Sequence, residues 1–298
     1  MKHLLQKAGM LTMLAIVFIS CEKVVLPDAD DNGKQHGSGI SISFTIANIE
    51  QVSFDDGVTK TRSTAISSMC SRITFAFFQD GEKIKQVSQK SSDSGFGSLT
   101  VSLPSGNYKF VVLAHNGSDN PTVTSLEKIT FGNNGKLSDT FYYYGELDAT
   151  ESKDVSLSLK RAVAMVRFIT TDAVPTDVKK MKFNYTGGSS TLNAVTGLGS
   201  VNSQQEETFT VETAARSGQS EYDIYTFPHD TNGTLKLTVT ALMDNDEEYK
   251  KEIFEEVPVT RNQITKYTGK FFENTQKPSE IKMSLQTDDE WTEKEIEY

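Results

Sequence analysis

The side chains able to do chemistry are few in this chain and far apart. The four histidines are His3, His36, His115 and His229, and no two of them have the close spacing of zinc ligands on one element. Cys21 and Cys70 form no Cys-x-x-Cys redox or metal pair. No serine sits in a Gly-x-Ser-x-Gly elbow, and Gly95-Phe96-Gly97 is half of a phosphate-binding loop without the strand–loop–helix that such a loop needs. Asp28, Asp30 and Asp31 lack the rest of a calcium loop with its terminal Glu. Asp244, Asp246, Glu247 and Glu248 crowd a hairpin loop, and Asp288, Asp289 and Glu290 follow near the end. A solvated turn accounts for both groups more simply than calcium. Paired carboxylates for glycoside hydrolysis are defined by a distance in space, and nothing singles out a pair here. The residues point to no catalytic group, no metal and no cofactor.

Composition narrows the partners. The chain has 298 residues and a formal net charge of −10. Residues 1–20 contain Lys2 and Lys7 and no acid, so the remainder carries −12. Such a chain has no electrostatic footprint for nucleic acid and does not adsorb to anionic lipid by charge. Met10–Ile19 is an apolar run of ten residues, too short for an ordinary membrane span. It follows the two lysines and precedes Ser20-Cys21. This arrangement resembles a bacterial lipoprotein signal, in which Cys21 is acylated and becomes the first mature residue, although Phe18 and Ile19 depart from the usual residues. Two or more acyl chains at one terminus anchor a protein stably. Cys70, left alone, reads as a small buried hydrophobe.

The elements that must position any site read as strands. Residues 21–39 are polar and rich in Asp and Gly, as a tether is. Ile40, Ile42, Phe44 and Ile46 alternate with polar residues, and Arg72–Gln79 follows as a strand before an Asp80-Gly81 turn. Ser98–Leu103 and Asn107–Ala114 form a hairpin around Pro104-Ser105-Gly106. Ser125–Phe131 reads as a short helix or an irregular segment, and Thr140–Tyr144 as a short aromatic strand. Asp154–Thr170 then keeps two different phases. Val155, Leu157 and Leu159 are apolar on odd positions, but after Lys160-Arg161 the apolar series runs Ala162, Ala164, Val166 and Phe168. A one-residue change of phase turns the buried face over, so the chain bulges or changes sheet there. Beyond it, Val178–Tyr185, Tyr222–Phe227, Thr234–Leu242, Tyr249–Val257 and Gln263–Phe272 read as strands, with Ser189–Glu207 as a long polar loop. No stretch has helical periodicity, which predicts an all-β protein of sandwiches. The expected organisation is a signal at 1–20, a tether at 21–39, sandwiches at 40–159 and 160–276, and a tail at 277–298.

Five stretches together resemble the fimbrillin superfamily of Bacteroidetes type V pili, in particular its FimB-like and Mfa-like accessory subunits. They are Ser20-Cys21 before a polar tether, Leu103–Tyr108 leading into Phe110–Asn116, Leu157–Phe168, Tyr225–Pro228, and Arg261–Thr265 through Gly269 and Phe271. The resemblance implies two tandem transthyretin-like β-sandwich domains and a structural role on the outer membrane or in a fimbrium. It implies other fimbrial subunits as partners, joined by adding an extended segment of one subunit to a sheet of the next. In stalk subunits of that family an Arg- or Lys-specific protease removes the first strand; here Ile40–Ile49 would be that strand, and Lys60 and Arg62 would mark the cleavage region. Ile281, Met283 and Leu285 alternate in the tail, which would serve either as a donor strand for a partner or as the last strand of its own domain. The competing reading is a surface lipoprotein that binds glycans for uptake. Trp291 is the only tryptophan in the chain, so that reading falls back on Tyr142–Tyr144 as its aromatic platform.

Overall fold

The computed structural model describes residues 39–49, 66–132 and 137–273, together with the backbone of 284–287. It is almost wholly β. The first half runs β1 (Ile40–Ile49), a one-turn helix α1 (Ile66–Met69), β2 (Arg72–Gln79), β3 (Glu82–Lys90), β4 (Ser98–Leu103), β5 (Asn107–His115), β6 (Thr122–Ser125), β7 (Lys128–Thr130), β8 (Thr140–Asp148) and β9 (Lys153–Arg161). Two layers face each other, β9-β1-β4 and β3-β2-β5-β8, joined at one corner where Phe141 and Tyr142 of β8 pair with Arg161 and Lys160 of β9. The alternation of β1 is what fills the space between them. Ile42, Phe44 and Ile46 all point inward and are buried, and the Phe44 ring lies 5.3–6.0 Å from those of Phe75, Phe77 and Phe110 on the opposite layer. Asp80 and Gly81 both take positive φ, 52° and 86°, which is the two-residue turn whose twist suits a hairpin.

The second half continues with β10 (Ala164–Thr170), β11 (Val178–Thr186), β12 (Gly188–Ser189), β13 (Thr191–Asn193), β14 (Leu198–Gly199), β15 (Gln205–Thr210), a 3-10 turn at Thr213–Arg216, β16 (Ser220–Pro228), β17 (Gly233–Met243), β18 (Glu248–Val259), β19 (Ile264–Gly269) and β20 (Ser284–Thr287). Its strand order repeats that of the first half. β19-β10-β16 matches β9-β1-β4, with the central strand parallel to the first named and antiparallel to the third in both cases. β15-β11-β17-β18 likewise matches β3-β2-β5-β8. The chain crosses between halves at Ala162-Val163. Leu157, Leu159 and Arg161 face inward before it, and Ala164, Val166 and Phe168 afterwards, so the change of phase coincides with a change of sheet.

A third apolar cluster ties the halves together. The short sheet β14-β13-β7-β6 draws strands from both, through Thr191 opposite Thr130 and Leu192 opposite Ile129. It lies against the outer face of β2, β5 and β8, so Ala76, Phe78, Val111, Leu113 and Tyr142 pack with Ile129, Leu192, Ala194 and Phe227. That is why β2 and β5 are buried on both faces and read as unbroken apolar runs.

Three local expectations are corrected. Ser125–Phe131 is not helical: β6 and β7 make a hairpin whose register shifts between Val123 and Ser125, and this shift hides the alternation. Ser189–Glu207 is not one loop, because β13 and β14 form within it and β15 begins at its end. Strands of two or three residues leave no local pattern, and β13 is held by a partner from the other half. β3, absent from the expected strands, is an edge strand whose Lys83 and Lys85 replace the apolar pattern. Charge on an edge discourages pairing with other chains.

Candidate functional site

The sequence directs attention to places where a strand can be exchanged. β1 occupies a slot between β9 and β4, parallel to the first and antiparallel to the second. Ile42, Phe44, Ile46 and Ile49 are each no more than 3% exposed. Their register is continuous with β4 over Ile40–Thr45, and shifts by a bulge between Ile46 and Asn48 on the β9 side. The slot is therefore a ladder on both edges with apolar sockets below it, the arrangement that lets main-chain bonds supply affinity and alternate side chains supply selectivity.

At the other end of the chain, β20 pairs antiparallel with β19, Leu285 lying opposite Tyr267. It occupies the outer edge of the sheet. Just before the tail leaves, the buried Asp172 carboxylate accepts backbone N–H bonds from Phe271, Phe272 and Glu273 at 2.9, 2.5 and 2.7 Å. Three charge-assisted bonds fix the backbone of residues 271–273. Cys21, Lys60, Arg62, Ile281 and Met283 lie outside the described residues.

Between the two halves sits a buried charge. Arg161, 3% exposed, donates from Nε and Nη2 to the two oxygens of Asp139 at 2.8 and 2.9 Å, and from Nη1 to Oδ1 of Asn262 at 3.0 Å. Its guanidinium carbon is 4.9 Å from the centroid of the Phe141 ring. Asn262, at φ 63°, donates its own N–H to the carbonyl of Val163 at 2.8 Å, and Arg261 donates to the Tyr142 hydroxyl at 2.8 Å. The loop before β19 is thus clasped to β8, β9 and the crossing segment. One step further on, Arg167 makes a bidentate pair with Asp223 and a contact with Glu221 across β10 and β16.

Titratable groups elsewhere are buried in ways that suppress reactivity. Burial, with a smaller contribution from Asp139, pushes the Cys70 thiol up to about 12, where the nucleophilic thiolate does not form at neutral pH. Burial, then the nearby Arg72, lowers His115 from 6.5 to about 4. Its Nδ1 accepts from Gly117 N–H, its ring meets Phe131 edge-on, and its Nε2 has no hydrogen-bond partner among the described residues. The unfolded chain takes up that proton near pH 6.5 while the folded one resists until about pH 4. The native state therefore loses stability as pH falls through that window, by up to about 3 kcal/mol, and is unaffected by this group above it. Urea melts at pH 7 and pH 4.5 should differ by less in His115→Phe than in the parent; an equal difference would show that other groups carry the effect. Asp246 pairs with Lys180 at 2.7 Å in a positive-φ turn, and among the described residues no three acids, histidines or cysteines converge to hold a metal ion.

Residues 35–298 match the model of a family described as of unknown function, DUF6562. The chain belongs to that family. No curated protein matches it. Among solved structures, the DUF6562 chain is similar to a candidate polysaccharide-binding protein of type DUF1812 from Bacteroides thetaiotaomicron, at 12% identity and a TM-score of 0.50, over 87% of this chain and 98% of that one. It is also similar to the fimbrial anchor protein Mfa2 from Porphyromonas gingivalis, at 9% identity and a TM-score of 0.47, over 84% and 96%. A third neighbour is a fimbrial assembly protein from Parabacteroides distasonis, at 14% identity and a TM-score of 0.41, over 87% and 98%. The likeness to the DUF1812 protein shows a common fold, and the other two add nothing to it.

Sequence reasoning picked out Arg161 in the DUF6562 chain only as part of a phase change. Its partners Asp139 and Asn262 are 22 and 101 residues away, and no spacing rule connects them. The aromatic cluster Tyr142–Tyr144 does not form one platform. Tyr142 is buried in the cluster between halves, Tyr143 packs on the first core, and Tyr144 alone lines an open cleft.

Proposed function

We propose that the chain is a structural subunit of a fimbrium or adhesion assembly, carried on the bacterial outer membrane by acyl groups at Cys21 and built of two tandem sandwich domains meeting at residues 159–160. Neighbouring subunits join by strand addition, and the subunit does no catalysis. The observation that carries this reading is the β1 slot, a strand-shaped site with a free ladder on each side once β1 leaves. Cleavage at Lys60 or Arg62 would sever β1 from β2 and make the slot available. The resemblance of Ser20-Cys21, Leu157–Phe168 and Arg261–Phe271 to the type V pilus subunits supports the same reading.

The tail supplies the complementary part. β20 is a four-residue edge pairing at the chain's end, and Ile281, Met283 and Leu285 alternate as a donor strand must. Deleting residues 277–298 is expected to leave the thermal transition within about 5 °C of the parent, since a ~1 kcal/mol loss shifts a domain of this size by that much or less. The same deletion should abolish co-purification of other pilus subunits from the cell surface. Co-purification at the parental level would contradict the donor role.

A further inference from the structure

On the outer face of β3-β2-β5-β8, the short sheet that ties the halves together covers only one end. Where it stops, the uncovered end of the face becomes the floor of a cleft of about 780 Å³. Lys109 and Glu146 stand opposite each other on its floor, from β5 and β8, and Tyr144 lies beside them two residues before Glu146. Asn107 flanks the floor, Glu127 comes from the β6–β7 turn, and Val195, 45% exposed, comes from the second half.

The polar groups of this cleft are idle. The side chains of Asn107, Lys109, Glu127 and Glu146 make no hydrogen bond or ion pair with the described residues, even though Lys109 and Glu146 are direct cross-strand neighbours. Elsewhere the protein pairs lysines with glutamates on adjacent strands even where they are not directly opposite, as with Lys236 and Glu255 or Lys182 and Glu206. Their types are mixed: an amide that donates and accepts, two carboxylates that accept, and an ammonium that donates. The partly buried ring of Tyr144 stands among them. Concave sites of this size, with an aromatic wall and a few convergent polar groups, bind small organic ligands.

We propose that the cleft binds a short neutral oligosaccharide, with Tyr144 against the C–H face of one ring and Asn107, Lys109, Glu127 and Glu146 exchanging hydrogen bonds with its hydroxyls. A hydroxyl both donates and accepts, which suits a lining of mixed polarity. An anionic sugar would meet four carboxylates, those of Asp80, Glu127, Glu146 and Asp148, and only one ammonium. A cationic peptide would meet the Lys109 ammonium on the floor, one of the four acids, Asp148, already accepts from Thr150 N–H, and no three of them converge as metal ligands do. The inference goes beyond subunit assembly and does not depend on it, because none of the residues lining the cleft comes from β1 or β20.

The test is isothermal titration calorimetry on the full chain with cellotriose, mannotriose and galactotriose, and with trigalacturonate and triarginine as charged probes. At least one neutral trisaccharide should bind, and Tyr144→Ala should weaken it by at least about tenfold, a ~1.4 kcal/mol loss. Glu146→Ala, on an exposed side chain that bears no packing, should weaken it too, which guards against a Tyr144 variant that fails to fold. The proposal is overturned if none of the three neutral sugars binds, if binding survives both substitutions, or if only trigalacturonate or triarginine binds.

Discussion

Replacing Arg161 with Met is expected to destabilise the protein by about 3–5 kcal/mol, the usual loss when one partner of a buried ion pair is removed. The side chain is 4% exposed and that of Asp139 17%, so the carboxylate left behind keeps little contact with water. Asn262 loses its partner at the same time, and with it the loop that holds β19 to the crossing segment. The effect should be conditional. Asp139→Leu alone should cost a similar amount by stranding the guanidinium, but Arg161→Met with Asp139→Leu should cost much less than the two together, because apolar groups of similar volume can replace a buried pair at little loss. Urea unfolding of the four proteins measures this. Additive losses would mean that the pair does not act as a unit. Because the clasp joins segments from both halves, the Arg161→Met protein should also unfold in two steps where the parent shows one.

Removing β1 should have a larger effect. Ile42, Phe44, Ile46 and Ile49 are buried in the first core, and each large apolar side chain contributes roughly 1.5–3 kcal/mol when fully buried, about 6–12 kcal/mol in all. Whole domains are stable by only about 5–15 kcal/mol. A chain that begins at Ser63 should therefore lose the cooperative melting of its first half while the second half, whose core draws on residues after Arg161, keeps its own.

Much of this arrangement is visible in the amino-acid order, and what is hidden is hidden for physical reasons. The alternation of Ile40, Ile42, Phe44 and Ile46 marks β1 because one face is buried and the other is not. Asp80-Gly81 announces a hairpin because two positive φ angles are cheap only for such residues. The slip of phase after Lys160-Arg161 shows where the chain changes sheet. By contrast β7 and β13 pair across the halves, β6 and β14 only extend that short sheet on either side, and none of the four carries a pattern of its own. Nor could spacing connect Asp139 and Asn262 to Arg161, or place Glu127 and Glu146 on one cleft, since these come together only when distant strands pair and pack. The proposed lipid site Cys21 and the proposed cleavage residues Lys60 and Arg62 fall among residues not described, and those proposals rest on the sequence.

The claim that the first sandwich is built to accept a strand is tested most directly by peptide capture. The chain beginning at Ser63 is mixed with a peptide of sequence Ile40–Ile49, and cooperative unfolding of the first half is followed by near-ultraviolet circular dichroism. The account predicts that the peptide restores the transition in saturable fashion, and that the same peptide with Asp in place of Phe44 does not. A first half that melts cooperatively with no peptide, or one that the native peptide leaves unfolded, would contradict it.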